Sequence, residues 1–352
     1  MKNEPKKNRS GRKYPGQTSR SDKLNAITKK LEDGVKELFT SENYKNYLRT
    51  MSKFHRYSFN NTLLIAMQSP GATLVAGYGA WQQKFHRQVK KGEKGITLLA
   101  PVPIKAKSDP TAEVDTGEEI IAMRFRPVTV FDVAQTEGEF LPSLGVDELT
   151  GSAEGYAAFM QALTNVSPVP IRFDEIEGGA KGYYHNADKE IVIQSGMSEL
   201  QTLKTCIHEI SHAMLHDHDY MKSEGIKKDR RLIEQEAESI AFCVCSRYSL
   251  DTSAYSFPYI AVFAGSAEMK DLKASMDTIR ETAGRIIDGI EAEMEKQQEH
   301  SQDVPEGRSS VLAALSREKE HLQAERAAIP ANQENLIADL PRNRLSGKEL
   351  VR

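Results

Sequence analysis

"CIHEISHAMLHDHDY", residues 206–220, sets His208, Glu209 and His212 at H-E-x-x-H spacing and adds His216 and His218 close behind. On a helix, histidines four apart lie on one face a turn apart, so both imidazoles can reach one zinc ion, Zn2+. The glutamate between them then faces the open coordination position, which makes Glu209 the candidate catalytic base. Leu203, Ile207, Ile210 and Met214 supply an apolar face, and Ser198 with Gln201 has the spacing of a capping box. The stretch is therefore predicted to be a helix with one face in a core and the other on a metal.

Three sources compete for the third protein ligand. His218 has the metzincin spacing, but Leu215 stands where that pattern needs a helix-breaking glycine. His216 lies two turns beyond His208, too far along the axis to close a compact site. The third source is "RRLIEQEAESIAFCVCSRY", residues 230–248, whose Glu234 and Glu238 share one helix face beside an apolar face of Ile233, Ala237, Ile240 and Val244. Glu234 as metal ligand, with Glu238 behind it orienting a histidine, is the gluzincin arrangement. The reversed assignment of these two acids is the alternative, and Glu236 is expected to face away.

Working outward, "PIRFDEI", "KGYYHN" and "KEIVIQ" are short strand candidates ahead of the metal helix, itself preceded by a helical "GSAEGYAAFMQALTNV". Tyr183, Tyr184 and His185 in this region are candidates for stabilising an oxyanion. Residues 22–67 carry helical periodicity, "SPGA" breaks it, and a short helix is expected from Ala80 to Lys90, ended at Gly92. "GITLLAPVPI" and "IIAMRFRPVTVFDV" are two strands joined by a long polar loop. A last long helix covers residues 268–296, followed by a linker-like stretch, a solitary charged helix and a tail. The fold class is α+β. Expected boundaries are a disordered basic arm at 1–21, a first unit at 22–142, a second at 150–297 and a tail at 298–352. Glycine, proline and serine between the two units suggest that few contacts cross there.

The 352 residues suffice for two cores, and a net charge of −3 confines any nucleic-acid affinity to a local patch. No apolar run approaches the ~18–20 residues that span a bilayer, so no membrane partner is expected. The basic N-terminus lacks the apolar core of a secretory signal. Cys206, Cys243 and Cys245 are expected to be buried thiols of a reducing compartment, hence a cytoplasmic location.

"KFHRQVKKGEKG" gathers Lys84, Arg87, Lys90, Lys91 and Lys94 against one acid, with Tyr78, Trp81 and Phe85 interleaved. Cations along a backbone and rings under bases are how single strands are held, so these lysines with Arg87, Tyr78 and Trp81 are the candidate DNA contacts. A core role for Trp81 and Phe85, four apart on a helix, is the competing reading.

The stretches "YSFNNTLLIAMQ", "WQQKFHRQVKKGEKGI" and "VTVFDVAQTEG", in that order, resemble the N-terminal domain of ArdC-type anti-restriction proteins over residues 22–142. The resemblance implies a mobile-element protein of conjugative plasmids and transposons. It also implies a first domain that binds single-stranded DNA and a zinc-metallopeptidase-like domain behind it. The second unit resembles ImmA/IrrE metallopeptidases, in which H-E-x-x-H is followed by E-x-x-A-[ND]. Here "EQEAE", residues 234–238, ends in Glu instead. Two further readings stay open: a regulatory protease with a protein or peptide substrate, and a non-catalytic DNA-shielding protein with a structural zinc.

Overall fold

The computed structural model describes residues 20–38, 41–105, 121–141, 153–253, 255, 257 and 269–301. The basic arm (but for its last residues), the loop between the two predicted strands, the stretch expected to divide the units and the solitary C-terminal helix lie outside these residues.

The region predicted as helical up to Met67 is three helices: α1 (Arg20–Glu37), α2 (Ser41–Lys53) and α3 (Phe59–Gln68). Ser58 caps α3 by accepting from the Asn61 N–H, satisfying one orphan donor of the first turn. Strand β1 (Val75–Gly77) leads into α4 (Tyr78–Phe85) and β2 (Arg87–Val89); β3 (Ile96–Lys105), β4 (Ile121–Asp132) and β5 (Thr136–Gly138) follow. One antiparallel sheet has the order β1-β4-β3, and β2 with β5 forms a separate ribbon. The two long strands are those expected, and β1, β2 and β5 are additional.

The helix expected from Ala80 to Lys90 ends at Phe85. His86 adopts a left-handed φ of 52°, and Arg87–Val89 leaves as a strand pairing with Thr136–Gly138. A left-handed residue stops helical propagation, and the ribbon offers the backbone an alternative set of partners.

Two of the recognisable stretches explain themselves physically. The Asn61 amide donates to the Leu99 carbonyl and accepts from the Leu99 N–H, both at 2.9 Å; Gln68 does the same for Thr97. Side-chain amides seven apart on α3 thus occupy the otherwise open edge of β3, which would invite pairing with another chain. The Asp132 carboxylate accepts from the N–H groups of Thr73, Leu74 and Ala134, while Gln135 returns a bond to the Asp132 N–H. "VTVFDVAQTEG" therefore ties β1, β4 and the ribbon together.

The second unit begins with α5 (Ala153–Val166), then β6 (Ile171–Asp174), β7 (Gly182–His185) and β8 (Glu190–Gln194). The sheet order is β6-β8-β7, with β6 parallel and β7 antiparallel to the central strand. Helices α6 (Glu199–Leu215), α7 (His218–Ser223), α8 (Arg230–Arg247) and α9 (Met269–Ser301) complete it. Ser198 caps α6 by accepting from the Gln201 N–H, but the Gln201 side chain goes to Thr205, so only half of the predicted capping box forms.

The expectation that few contacts cross between the units does not hold. One apolar cluster runs from Ile27 through α2 and α3 to α8 and α9. Tyr44, Leu48 and Met51 of α2 are buried; Tyr44 donates or accepts at 2.9 Å with Ser239 of α8, and its ring meets Phe257 at 5.2 Å. The Asp288 carboxylate of α9 pairs with His55 Nε2 at 2.9 Å and Arg56 at 2.5 Å. Helices α2 and α3 carry more apolar surface than their small sheet can cover, and α8 and α9 complete its burial. The three cysteines are free and buried, as their residue type suggests.

Candidate metal centre

Helix α6 packs across β7 and β8, with β7 as the edge strand. The approach is close because residue 182 is glycine: a Cβ there would lie 2.7 Å from Thr205 Cγ2 on α6. Leu203, Ile207 and Ile210 are buried on one face of α6, so His208 and His212 turn to the other. Helix α8 crosses this second face and brings Glu234 and Glu238 to it.

His208 Nε2 and His212 Nε2 lie 3.1 Å apart, and Glu234 Oε2 is 3.7 Å from each. Ligand atoms bonded at 2.0–2.2 Å in a tetrahedral shell are separated by roughly 3.3 Å, so a divalent metal fits this donor set with shifts of a few tenths of an ångström. Glu238 Oε2 stands 3.4 Å from His208 Nδ1, behind the ring rather than among the donors. Glu209 is buried beside the histidines and accepts a hydrogen bond from the Tyr184 backbone N–H on the edge strand.

The electrostatics follow from this packing. Burial opposes protonation of His208, but Glu234 and Glu238 together outweigh it, and its pKa rises to about 9 without a metal. Bonds from His208 and then His212 hold Glu234 well below the usual carboxylate range. Burial raises Glu209 and lowers His212. A cavity of about 840 Å³ reaches the group, lined by Tyr183 and Lys181 from the strand side, Lys204 from α6 and Arg230 from α8.

The other sequence candidates separate cleanly. His218 is exposed at the start of α7, beside Asp219. His216 does not join the three donors; its Nδ1 meets His212 Nδ1 at 3.0 Å, on the side of that ring away from the site. Glu236 does not face solvent: it is fully buried, 3.1 Å from His216 Nε2. It lies on the opposite side of α8 from Glu234, and the core there contains a polar group for it to meet. The Tyr184 hydroxyl donates to Asp217 and His185 pairs with Asp188, so of the three oxyanion candidates only Tyr183 faces the cavity without such a bond among the described contacts. His185, Asp188 and Glu190 also cluster on the surface.

The candidate DNA contacts divide as well. Trp81 is fully buried and donates its Nε1–H to the Phe131 carbonyl at 2.9 Å, so it is core, as is Phe85. Arg87 clamps the β2–β5 ribbon, donating to the Thr136 hydroxyl and to the carbonyls of Thr136, Gly138 and Glu139. Aromatic spacing on α4 and backbone acceptors on β5 account for both. Lys84, Lys91 and Lys94 are exposed, as is Lys90, which also donates to the Ala134 carbonyl. Tyr78 is 54% exposed with its ring edge-on to Phe131. Arg124 and Arg126 are exposed two apart on β4 and add two cations to the unit; strand alternation is the signal that could have found them.

Residues 19–131 match the N-terminal domain of anti-restriction factor ArdC, and residues 167–250 match the IrrE N-terminal-like domain. An uncharacterized protein of Bacillus anthracis is 26% identical over 318 residues, covering 79% of this chain and 53% of the relative. The chain thus spans about half the length of that relative. Crystal structures of the antirestriction protein ArdC from the R388 plasmid are similar at low identity. The metal-free form is 20% identical, covers 66% of this chain and 85% of that one, and has a TM-score of 0.44. The Mn(II)-bound form is 19% identical, covers 68% and 84%, and has a TM-score of 0.39. Among the described residues no helix is long and apolar enough to cross a membrane.

Proposed function

We propose that this chain, an ArdC-type protein with an IrrE-like domain behind its N-terminal one, binds single-stranded DNA through the first unit and hydrolyses a peptide bond at a zinc centre in the second. The observation that carries the hydrolytic half is Glu209, buried beside His208 and lining the same cavity as both histidines. A purely structural metal has no use for a base at that position or for a cavity leading to it.

His208, His212 and Glu234 would hold the metal, and Glu238 would steady the His208 ring from behind. Bound there, a divalent cation supplies Lewis acidity toward the scissile carbonyl. Glu209 takes the proton of the attacking water and passes it to the leaving amine, with the Tyr184 N–H fixing its carboxylate in place. Burial raises the affinity of Glu209 for that proton, which suits a group that accepts and then returns one. Exposed Lys84, Lys91 and Lys94 with Tyr78 support the DNA half, since backbone cations and an accessible ring are what a single strand requires.

The test measures zinc content, peptide hydrolysis and oligonucleotide binding on wild type and Glu209→Gln. We expect about one zinc per chain in both, hydrolysis only in wild type, and DNA affinity equal in the two. Zinc without hydrolysis against a broad peptide library would reduce the centre to a staple.

A further inference from the structure

Behind His212, on the side away from the donors, a line of buried polar groups runs across three elements. His212 Nδ1 meets His216 Nδ1 at 3.0 Å, and His216 Nε2 meets Glu236 Oε2 at 3.1 Å. The same Glu236 oxygen receives Lys228 Nζ at 2.6 Å, while Oε1 receives the Ser275 hydroxyl of α9 at 3.0 Å. His216 and Glu236 are both buried, so water does not compete for these bonds.

Hydrogen bookkeeping along the line has a direction. Lys228 can only donate, which makes Glu236 an acceptor throughout. His216 must then donate from Nε2, and a neutral imidazole with its hydrogen on Nε2 presents a lone pair at Nδ1. Two ring nitrogens 3.0 Å apart need one hydrogen between them, so His212 donates from Nδ1. Its Nε2 is left with the free lone pair, aimed at His208 Nε2 and Glu234.

We propose that His216 and Glu236 are positioning residues that hold His212 in the one tautomer and ring orientation able to ligate a metal. The proposal rests on the reading of His208, His212 and Glu234 as a metal site. It deepens that reading by assigning a role to His216, which caps the end of α6, and to Glu236 of α8. It also gives Ser275 and Lys228 a part, because they anchor the carboxylate from α9 and from the loop before α8. Ligating histidines commonly pass their second nitrogen directly to a carboxylate or carbonyl; here a second imidazole carries that bond one helical turn further to a carboxylate in the core.

The experiment titrates zinc alone into the full chain against a competing chelator, for wild type, His216→Ala, Glu236→Ala, Glu236→Gln and the double variant His216→Ala/Glu236→Ala. Each single alanine variant is expected to bind zinc roughly 10- to 100-fold more weakly, and the double variant no more weakly than His216→Ala. Glu236→Gln keeps an acceptor oxygen for His216 and should recover most of the loss. A folded His216→Ala protein within twofold of wild type would overturn the proposal. Nitrogen-15 NMR of the histidine rings in metal-free protein provides the readout should Glu236→Ala not fold. Wild type is expected to show His212 protonated at Nδ1 and His216 at Nε2. A doubly protonated His216, or a His212 tautomer unchanged by His216→Ala, counts against it. If wild-type protein bound no zinc, the metal-site reading would fail, and the ring tautomers would still decide the positioning role.

Discussion

At the scale of residues, the indole of Trp81 is buried and the guanidinium of Arg87 is tied to acceptors of the ribbon, so substituting them should change stability before it changes DNA binding. Truncating a fully buried tryptophan costs about 3–5 kcal/mol, and Trp81→Ala also leaves the Phe131 carbonyl without its donor. Chemical denaturation should report that loss. By contrast, reversing Lys91 and Lys94 to Glu should leave the denaturation midpoint within experimental scatter. It should weaken oligonucleotide binding and flatten its salt dependence, since fewer counterions are released; unaltered DNA affinity in that double variant would move the site elsewhere. The proposed metal donors were legible in the sequence because H-E-x-x-H and the pair Glu234 and Glu238 of α8 declare themselves by helical spacing. His216 and Glu236 were not, because their significance depends on how two helices cross. A spacing rule applied to each helix separately placed both outside the site. Trp81 shows the same limit from the other side: an aromatic between lysines has the same local pattern whether it stacks on a base or fills a core.

At the scale of elements, the geometry of the site depends on how closely β7 rides on α6. Gly182 permits that approach, and a Cβ there would meet Thr205 Cγ2 at 2.7 Å and the Val192 carbonyl at 3.1 Å. Gly182→Val should therefore push the edge strand outward, draw the Tyr184 N–H away from Glu209, and lower hydrolysis more than it lowers zinc affinity, because no donor sits on β7. Parallel measurement of both quantities checks this, and equal losses would mean that α6 itself had moved. Strands β3, β4, β6, β7 and β8 were legible from their β-branched or aromatic runs and bounding turns, whereas β1, β2 and β5 are three residues each and carry no period long enough to detect. Their existence follows from long-range partners, notably Asp132 and Arg87, which bind backbone groups far along the chain. A second prediction at this scale concerns Asp288, which joins α9 to the segment between α2 and α3. Burial would raise its pKa, but the bonds from His55 and Arg56 prevail and hold it down at about 2. A carboxyl depressed in the folded state adds stability that is present above its unfolded pKa of about 3.9 and is lost as pH falls through about 2. With the side chain partly exposed, that contribution is about 1–2 kcal/mol. Asp288→Asn should lose it at pH 7 and show a flatter acid-denaturation curve between pH 4 and pH 2 than wild type.

At the scale of the molecule, a composition that permits two independent cores has produced, among the described residues, an apolar cluster shared between the units through α2, α8 and α9. Its consequence is thermodynamic: an event in the second unit should be felt in the first. Trp81 is the only tryptophan and lies in the first unit, so its fluorescence reports that unit alone, while far-UV circular dichroism reports every helix. If the shared core makes one cooperative system, both signals should fall in one transition at one temperature. A ligand that binds the folded state stabilises it by RT ln(1 + [L]/Kd), about 2.7 kcal/mol at a hundredfold excess over Kd. Zinc at that excess should then raise the Trp81 transition together with the dichroism, although no proposed ligand lies before residue 208. Phe159→Ala makes the same test without a metal. That ring is fully buried in the second unit against Tyr248, at 4.8 Å between centroids, and its loss should lower the Trp81 transition by the same amount as the global one. Two separated transitions, or a Trp81 signal indifferent to both zinc and Phe159→Ala, would show that the contacts between α2 and α8 are too weak to couple the units. In that case a fragment ending near residue 141 should fold and bind DNA by itself; under the shared-core account it should not, because Tyr44, Leu48 and Met51 would be left exposed on α2.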